Sequence, residues 1–347
     1  MAFTEELKTT AQALVSIGKG ILAADESLNT ENQRFQKLGI PETIEMRLAS
    51  REMLFTTPRI EEFISGVILF DETIRQSTRE GVPFTTILQK ARIIPGIKLD
   101  KGAVPLGGSV NERITEGLDG LRDRIAEYYS LGARFAKWRA VISISKTDPS
   151  RLCIEANADA LARYAALCQE GGLVPIVEPE VLMNGSHTLD QSLEVHQAVL
   201  HAVFDRLSLY RVQLDQIILK PSMVIAGIDC PHQSSIEAVA RATVQCLLDR
   251  VPASVPGCAF LSGGQSDELA TAHLNAMNEL FKDQCPWILT FSYGRALQQL
   301  ALKTWMGQDA NVVEAQKALF HRAQLNSLAA IGQYSSGMEE CLKSNLF

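Results

Sequence analysis

The chain has 347 residues, of which 46% are apolar and 21% charged, with a formal net charge of -7. Its length fits two domains or one large α/β barrel. The negative charge argues against a nucleic-acid partner, because phosphate backbones require a basic face. No apolar run approaches the roughly 20 residues that span a bilayer, and the start MAFTEELKTTAQALV lacks a secretory signal pattern. We therefore expect a cytoplasmic protein with no membrane partner. Seven cysteines without a C-x-x-C pair argue against a disulfide framework.

Eight short apolar runs recur along the chain, and each ends in a polar or charged residue followed by a helical pattern. In chain order they are GILAADES, GVILFDET, GIKLDKG, RFAKWRAVI, LVPIVEPEV, QIILKPSM, CAFLSGG and WILTFSYG, beginning near residues 20, 66, 96, 134, 173, 216, 258 and 287. Successive starts are roughly thirty to forty-five residues apart, which suits a strand, a loop and a crossover helix.

This alternation predicts one (β/α)8 TIM barrel, an α/β fold, with residues 1–347 as a single domain. We expect an N-terminal helix within residues 1–18 and a C-terminal tail after about residue 325. An open doubly wound sheet is the alternative. It is disfavoured because no G-x-G-x-x-G follows the first run.

Charged and polar residues stand where the predicted strands end. They are Asp25, Asp71, Lys98, Asp100, Lys137, Arg139, Glu178, Glu180, Lys220, Ser262 and Arg295. The carboxyl ends of barrel strands form the active-site mouth, so these side chains should converge there. Any one of them could be a solvated rim charge. Several lysines and carboxylates together would lower stability unless they bind a ligand.

Lysines among other cations and acids suit carbonyl chemistry. A neutral amine attacks carbonyls, but a free lysine is protonated at neutral pH. Desolvation and neighbouring cations lower its pKa, and carboxyl groups can shuttle the protons that an iminium requires. An iminium stabilises a carbanion, so a carbon-carbon bond can be broken without a metal. The residues alone leave Lys98, Lys137 and Lys220 open as the nucleophile.

A divalent metal would be the alternative means of stabilising such a carbanion. The histidines show no H-x-H or H-E-x-x-H spacing, and they are His187, His196, His201, His232, His273 and His321. We therefore expect neither a catalytic metal nor any other cofactor.

Two motifs near the end of the series suit an anion. AFLSGGQS and FSYGRAL supply hydroxyls, glycines and Arg295. Glycines let backbone N–H groups approach an oxyanion, and barrels often hold a phosphate at this place. Tight strand-to-helix turns are the simpler explanation for each motif alone. A weaker second anion site follows the first strand at Ser27, Thr30 and Arg34, where Ser27 could equally cap a helix.

Blocks along nearly the whole chain resemble those of class I fructose-bisphosphate aldolases, the metal-free Schiff-base type. They run in order from about residue 18 to residue 333 and are GKGILAADES, GVILFDET, GIKLDKG, NADALARYA, VPIVEPE, LKPSMV, AFLSGGQS and FSYGRALQ. The resemblance implies reversible cleavage of fructose 1,6-bisphosphate into dihydroxyacetone phosphate and glyceraldehyde 3-phosphate, in glycolysis and gluconeogenesis. It also implies a cytosolic homotetramer.

The resemblance assigns roles where the motifs match. Lys220 would be the Schiff-base nucleophile, and Glu178, assisted by Glu180, the acid/base of dehydration. Asp25 would take the proton from the C4 hydroxyl, and Lys137 would balance charge and help form the carbinolamine. The implied substrate-binding residues are Lys98 and Arg139 along the path, Ser262, Gly263, Gly294 and Arg295 for the phosphate next to the ketone, and Ser27, Thr30 and Arg34 for the far phosphate.

The chain departs from the family pattern in two places. After AADES it reads LNTENQR, with Leu28, Asn29 and Gln33 where the family commonly has a small-residue run with a Gly and then a Lys. We therefore expect a weaker or differently arranged far phosphate site. It ends KSNLF at Phe347 without the family's terminal Tyr, which predicts altered enamine protonation or altered preference for the bisphosphate.

Two alternatives stay open. The substrate could be fructose 1-phosphate or sedoheptulose 1,7-bisphosphate, or the protein could be a scaffold for cytoskeletal or adhesin partners.

Overall fold

Eight parallel strands close into a barrel in the computed structural model, which describes residues 3–340. The strands of the protein are β1 (Gly20–Ala24), β2 (Ile64–Leu69), β3 (Ile94–Lys98), β4 (Ala103–Pro105), β5 (Arg113–Thr115), β6 (Phe135–Ile142), β7 (Val174–Val181), β8 (Ile218–Leu219), β9 (Gly257–Phe260) and β10 (Ile288–Tyr293). The order around the barrel is β1-β10-β9-β8-β7-β6-β3-β2, and β4 pairs with β5 as an antiparallel hairpin. Each predicted apolar run supplies one barrel strand, which confirms the (β/α)8 prediction.

Helices occupy the connections between the barrel strands. They are α1 (Thr4–Leu14), α2 (Leu28–Leu38), α3 (Ile44–Phe55), α4 (Asp71–Ile74), α5 (Phe84–Lys90), α6 (Leu121–Ser130), α7 (Arg151–Glu170), α8 (Leu189–Leu209), α9 (Ile236–Arg250), α10 (Asp267–Phe281), α11 (Arg295–Trp305) and α12 (Val312–Ala329). Half of the helices begin at a Ser or Thr whose hydroxyl accepts a backbone N–H bond, as Ser27 does for α2. Within residues 3–340, no helix is long and apolar enough to cross a membrane.

The amino-terminal end of the barrel is closed by α1. Its side chains Leu7, Ala11 and Leu14 are buried and share one apolar cluster with inward-facing strand residues such as Ile21 and Ile218. The Ser65 hydroxyl, at the start of β2, donates to the Leu14 carbonyl at 2.6 Å. The predicted N-terminal helix therefore packs beneath the barrel and covers its amino-terminal end.

The interior changes from apolar to charged along the strands. The Phe135 ring fills the lower interior, where Gly66 and Gly96 leave room for it; a Cβ at Gly96 would overlap the ring. Because side chains alternate between faces, the next inward position on β6 after Phe135 is Lys137. On β7, Ile176 is followed in the same way by Glu178. Packed apolar layers thus lie directly below a layer of ionisable groups.

The predicted C-terminal tail begins inside α12 and continues through a 3₁₀ turn at Ser336–Glu339. The KSNLF ending, on which the prediction about the missing Tyr depends, lies outside the described residues.

Candidate active site

A cavity of about 590 Å³ opens at the carboxyl ends of the barrel strands. It is lined by all of the predicted site residues except Arg34 and Asp71: Asp25, Ser27, Thr30, Lys98, Lys137, Arg139, Glu178, Glu180, Lys220, Ser262, Gly263, Gly294 and Arg295. Asp100 also lines it. Asp71 does not: it begins α4, is half-exposed, and pairs with Arg75 at 2.9 Å. The barrel therefore gathers residues from widely separated parts of the chain into one mouth.

Lys220 lies deep in this cavity, directly after β8. Its backbone N–H donates to the Val177 carbonyl at 2.8 Å, and the next residue, Pro221, has no N–H to continue the ladder. The side chain is 4% exposed, and its Nζ lies 3.4 Å from Glu178 Oε1. Burial lowers the pKa of Lys220; Glu178 opposes this effect, whereas Lys137 adds to it. The net pKa is below the ordinary lysine value, which favours the neutral amine.

Lys137 has the opposite electrostatic environment, because it bridges two carboxylates. Its Nζ lies 3.0 Å from Asp25 Oδ2 and 3.2 Å from Glu178 Oε2. Burial lowers the pKa of Lys137, but Asp25 and Glu178 outweigh it and raise the pKa above its ordinary value. Burial alone would raise the pKa of Asp25, but the nearby Lys137, Lys220 and Lys98 outweigh burial and lower this pKa to about 2. Lys137 and Asp25 thus form a stable ion pair beside a lysine that tends toward neutrality.

Two further ion pairs lie nearer the opening. Lys98 Nζ is 3.3 Å from Asp100 Oδ1, and the Arg139 guanidinium pairs with Glu180 Oε2. Burial lowers the pKa of Arg139, but Glu180 raises it above its usual range. Glu180 is therefore held by Arg139, and Glu178 is the carboxylate that contacts both Lys137 and Lys220.

The loop after β9 forms one wall of the cavity. Gly263 and Gly264 have φ angles of 59° and 90°, a left-handed backbone that glycine adopts readily. Gln265 closes the turn, because both its backbone N–H and its side-chain amide donate to the Ser262 carbonyl, at 3.1 and 3.0 Å. The two glycines and the Ser262 hydroxyl consequently border the cavity in a fixed turn.

The start of α11 completes this wall. Gly294 precedes the helix and Arg295 is its first residue, so free backbone N–H groups and a guanidinium lie together at a helix N-terminus. Ser292, two residues earlier on β10, is buried in the same cavity, and its hydroxyl has no hydrogen-bond partner among the described residues. Ser292 was not among the site residues predicted from the sequence, although it lies two residues before Gly294 and therefore faces the same side of β10. This wall is rich in donors suited to an anion.

The cavity also reaches the loop after β1, which carries Ser27 and Thr30; β1 is the neighbour of β10 in the barrel. The Ser27 hydroxyl accepts the Thr30 N–H at 3.4 Å and caps α2, so the capping explanation is also realised. The two hydroxyl oxygens are 3.1 Å apart. The third predicted member, Arg34, does not line the cavity; its Nη1 lies 2.5 Å from Oε1 of Glu26, a residue that does line it.

Glu26 belongs to a buried network that sequence reasoning missed. Arg51 Nη2 lies 2.9 Å from Glu26 Oε2, and the Gln298 side-chain amide donates to Glu26 Oε1 at 3.1 Å. Gln298 also donates to the Ala23 carbonyl at 2.6 Å. Arg51 comes from α3 and Gln298 from α11, so no local pattern connects either residue with the mouth. The network fixes the loop that carries Asp25.

A second supporting contact, also missed, joins β7 to the segment after Lys220. The Ser222 hydroxyl accepts the Val181 N–H at 3.0 Å and donates to His196 Nε2 at 2.9 Å. The other His196 nitrogen donates to the Ser192 carbonyl at 2.7 Å, which leaves Nε2 as an acceptor. Burial lowers the pKa of His196 to about 4, so the ring is neutral. The contact links the strands of Glu178 and Lys220 where Pro221 ends the backbone ladder.

Metal-ligand clusters are not found in the part of the chain that the structure describes: no group of three or more His, Cys, Asp and Glu side chains there is arranged to hold an ion. The fold and the cavity define a (β/α)8 enzyme whose centre combines lysines with carboxylates and is flanked by donors for anions.

The protein family follows from the similarity of this chain to known proteins. The family model of class I fructose-bisphosphate aldolases matches residues 6–347, and the chain belongs to this family. A Xylella fastidiosa (strain 9a5c) protein named "Probable fructose-bisphosphate aldolase class 1" is 58% identical over 332 residues, 95% of this chain and 98% of that one. Fructose-bisphosphate aldolase 4, cytosolic, of Arabidopsis thaliana is 51% identical over 331 residues, 95% of this chain and 84% of its own. A solved structure of fructose-bisphosphate aldolase from Plasmodium falciparum, in complex with TRAP and a small molecule inhibitor, aligns with a TM-score of 0.95 at 48% identity and covers 97% of both chains.

The chain is accordingly a class I fructose-bisphosphate aldolase, a lyase whose substrate is a phosphorylated sugar. The resemblance seen in the sequence blocks is confirmed.

Proposed function

We propose that this aldolase cleaves its substrate through a Schiff base on Lys220. The observation that carries the proposal is the contrast between two buried lysines. Lys137 lies within 3.2 Å of both Asp25 and Glu178 and is held protonated, whereas burial lowers the pKa of Lys220. Only an unprotonated amine attacks a carbonyl carbon, so Lys220 is the better nucleophile.

The first half of the reaction forms the iminium. The Lys220 ammonium first passes a proton to Glu178, and the neutral amine then attacks the C2 carbonyl of the open-chain ketose. A proton moves from the nitrogen to the oxygen to give a carbinolamine. Glu178 then gives the proton it received to the departing hydroxyl, which leaves as water. Glu178 is placed for this because its two oxygens contact Lys220 and Lys137. Lys137 offsets the negative charge that accumulates on the oxygen.

The second half breaks the carbon-carbon bond. Asp25 takes the proton of the C4 hydroxyl, the C4 oxygen forms the aldehyde, and the electrons of the C3–C4 bond move into the iminium to give an enamine. Protonation at C3 and addition of water to the regenerated iminium release dihydroxyacetone phosphate. The low pKa of Asp25 keeps it ionised and therefore ready to accept a proton.

The donors around the cavity suit the two phosphates of fructose 1,6-bisphosphate. We assign the phosphate next to the ketone to Ser262, Gly263, Gly294 and Arg295, and the far phosphate to Ser27 and Thr30 with Lys98 nearby. Arg139, on β6, also lines the cavity and would line the substrate path.

Borohydride trapping with dihydroxyacetone phosphate, followed by peptide mass mapping, tests the proposal. We expect one reduced adduct, on Lys220, and none in Lys220→Met. Lys137→Met is the matched control, because it removes the other deeply buried lysine while Lys220 remains available. An adduct on Lys137 or Lys98 would contradict the assignment.

Substrate range is tested separately. We infer that fructose 1,6-bisphosphate is preferred, since the cavity offers anion donors at two places, the loop after β1 and the loops after β9 and β10. Comparing kcat/KM for the bisphosphate, fructose 1-phosphate and sedoheptulose 1,7-bisphosphate decides the order, and a higher value for fructose 1-phosphate would contradict the inference.

We infer further that the protein is a cytoplasmic homotetramer, as the cytosolic plant relative and the family resemblance suggest. Light scattering of the purified protein measures the assembly, and any other mass would contradict the inference.

The Plasmodium falciparum aldolase was crystallised with TRAP, which supports a secondary proposal that this chain also binds adhesin or cytoskeletal segments. Calorimetric titration with an adhesin-tail peptide and with actin, using a scrambled peptide as control, tests that role.

A further inference from the structure

Arg34 belongs to a buried cluster of two acids and two arginines, which we call the acid-arginine cluster: Glu26, Glu31, Arg34 and Arg51. Arg34 Nη1 lies 2.5 Å from Glu26 Oε1 and 3.7 Å from Glu31 Oε2. Arg51 Nη2 lies 2.9 Å from Glu26 Oε2 and 3.5 Å from Glu31 Oε2. Glu26 therefore accepts hydrogen bonds from both arginines, whereas Glu31 Oε2 lies near both guanidinium groups without a hydrogen bond to either.

The burial of these groups makes their charge balance important. The exposed fractions of the side chains are 3% for Glu31, 4% for Arg51, 8% for Glu26 and 25% for Arg34. Two negative and two positive charges cancel. If Arg34 left, two buried carboxylates would share one guanidinium, and an uncompensated buried charge is strongly unfavourable.

Arg34 is nevertheless near the far side of the cavity. It lies four residues after Thr30 on α2, and residues at this spacing are neighbours on one helix face. Thr30 lines the cavity but Arg34 does not. A substrate phosphate at Ser27 and Thr30 would therefore have to compete with Glu26 and Glu31 for the guanidinium.

We propose that Glu31 determines substrate preference by retaining Arg34 in the acid-arginine cluster, so that the far phosphate is bound without this arginine. The inference rests on the proposed assignment of the far phosphate to Ser27 and Thr30. Its consequence is a weaker preference for the bisphosphate over fructose 1-phosphate than a free Arg34 would give.

Glu31→Gln tests the proposal, because it removes one charge and keeps the shape. With Glu26 then balanced by Arg51, Arg34 can turn to the phosphate. We expect the ratio of kcat/KM for fructose 1,6-bisphosphate to that for fructose 1-phosphate to rise about tenfold, the effect of one charge-assisted hydrogen bond. Glu42→Gln, an exposed acid outside the cluster, is the matched control and should leave the ratio unchanged.

Fructose 1-phosphate lacks the far phosphate, so its cleavage also reports whether each variant is folded. If Glu31→Gln does not fold, Glu31→Met, which fills a similar volume without charge, makes the same test. An unchanged ratio in a folded variant would overturn the proposal.

A double-mutant cycle identifies the route by which Glu31 acts. Arg34→Gln alone should change the ratio less than about twofold, because Arg34 is already withheld from the substrate. In the Arg34→Gln background, Glu31→Gln should no longer raise the ratio. A large loss in Arg34→Gln alone, or a gain that persists without Arg34, would show that Arg34 does not act as proposed.

The lysine adduct separates this inference from the proposed function. Dihydroxyacetone phosphate carries only the phosphate next to the ketone, so its adduct with Lys220 should form equally in the wild type, Glu31→Gln and Arg34→Gln. Absence of the adduct from all three would refute the Schiff-base assignment. A normal adduct with an unchanged substrate ratio would refute only the role of Glu31.

Discussion

Replacing Asp25 by Asn tests the electrostatic centre of the site most directly. The substitution preserves the side-chain shape and removes a charge whose Oδ2 atom lies 3.0 Å from Lys137 Nζ. Lys137 keeps Glu178 at 3.2 Å, so its buried ammonium remains partly compensated. We expect a folded but less stable enzyme, with kcat about 10² to 10⁴ lower because the base for the C4 hydroxyl is gone.

The pKa of Asp25 gives the size of the stability change. It falls from 3.8 to about 2 on folding, and a pKa change of one corresponds to about 1.4 kcal/mol, so the charge contributes about 2 kcal/mol at pH 7. Because the folded-state pKa is the lower one, this contribution is present above pH 3.8 and is lost as the pH falls toward 2. At pH 3 about 1 kcal/mol should remain.

Urea unfolding of the wild type and Asp25→Asn at pH 7, 4 and 3, at one protein concentration, measures this difference. The deficit of the variant should be about 2 kcal/mol at pH 7 and 4 and should shrink at pH 3. Asp71→Asn is the matched control, since Asp71 also follows a strand but forms an exposed pair worth less than about 1 kcal/mol. Equal stability of wild type and Asp25→Asn at pH 7, or a deficit independent of pH, would refute the reasoning.

Three other outcomes are expected. Adduct formation with dihydroxyacetone phosphate should rise with pH around a midpoint below the ordinary lysine value of 10.5, because burial lowers the pKa of Lys220; a midpoint at that value in a borohydride-trapping series would contradict this. Ser222→Ala should cost about 1–3 kcal/mol in unfolding free energy, since it leaves the Val181 N–H and His196 Nε2 unpaired, and steady-state kinetics should show a larger change in kcat than in KM. Dialysis against a chelator should leave activity intact, because the iminium stabilises the carbanion; inactivation that added divalent metal restores would indicate a different mechanism.

The barrel was predictable because each strand is an apolar run that ends at a polar or charged residue. The same alternation could have corrected one expectation. Ile21 faces the interior, and Asp25, four residues later, keeps that phase and lines the cavity. Ile68 also faces the interior, but Asp71 is three residues later and therefore out of phase, which is why it lies outside the mouth.

Partners across the barrel could not be predicted. Lys137 contacts Asp25, whereas Arg139 contacts Glu180. Both contacts depend on strand register and barrel closure, neither of which a single sequence specifies. The partner of Arg34 could not be predicted either, because an arginine at this place in the sequence could bind a phosphate or pair with Glu26. The hairpin of β4 and β5 was also missed, since three-residue strands are too short to show a period.

The closure of the barrel floor by α1 affects the order of events during turnover. With Leu7, Ala11 and Leu14 packed beneath the interior, we expect substrate to enter and both products to leave through the mouth at the carboxyl end. In the proposed mechanism the aldehyde half is free once the C3–C4 bond breaks, whereas the other half is still bonded to Lys220. The aldehyde must therefore depart first in the cleavage direction and arrive last in the synthetic direction. A molecule bound across the opening would stop entry and exit together, so an inhibitor need not reach the lysine to halt the enzyme.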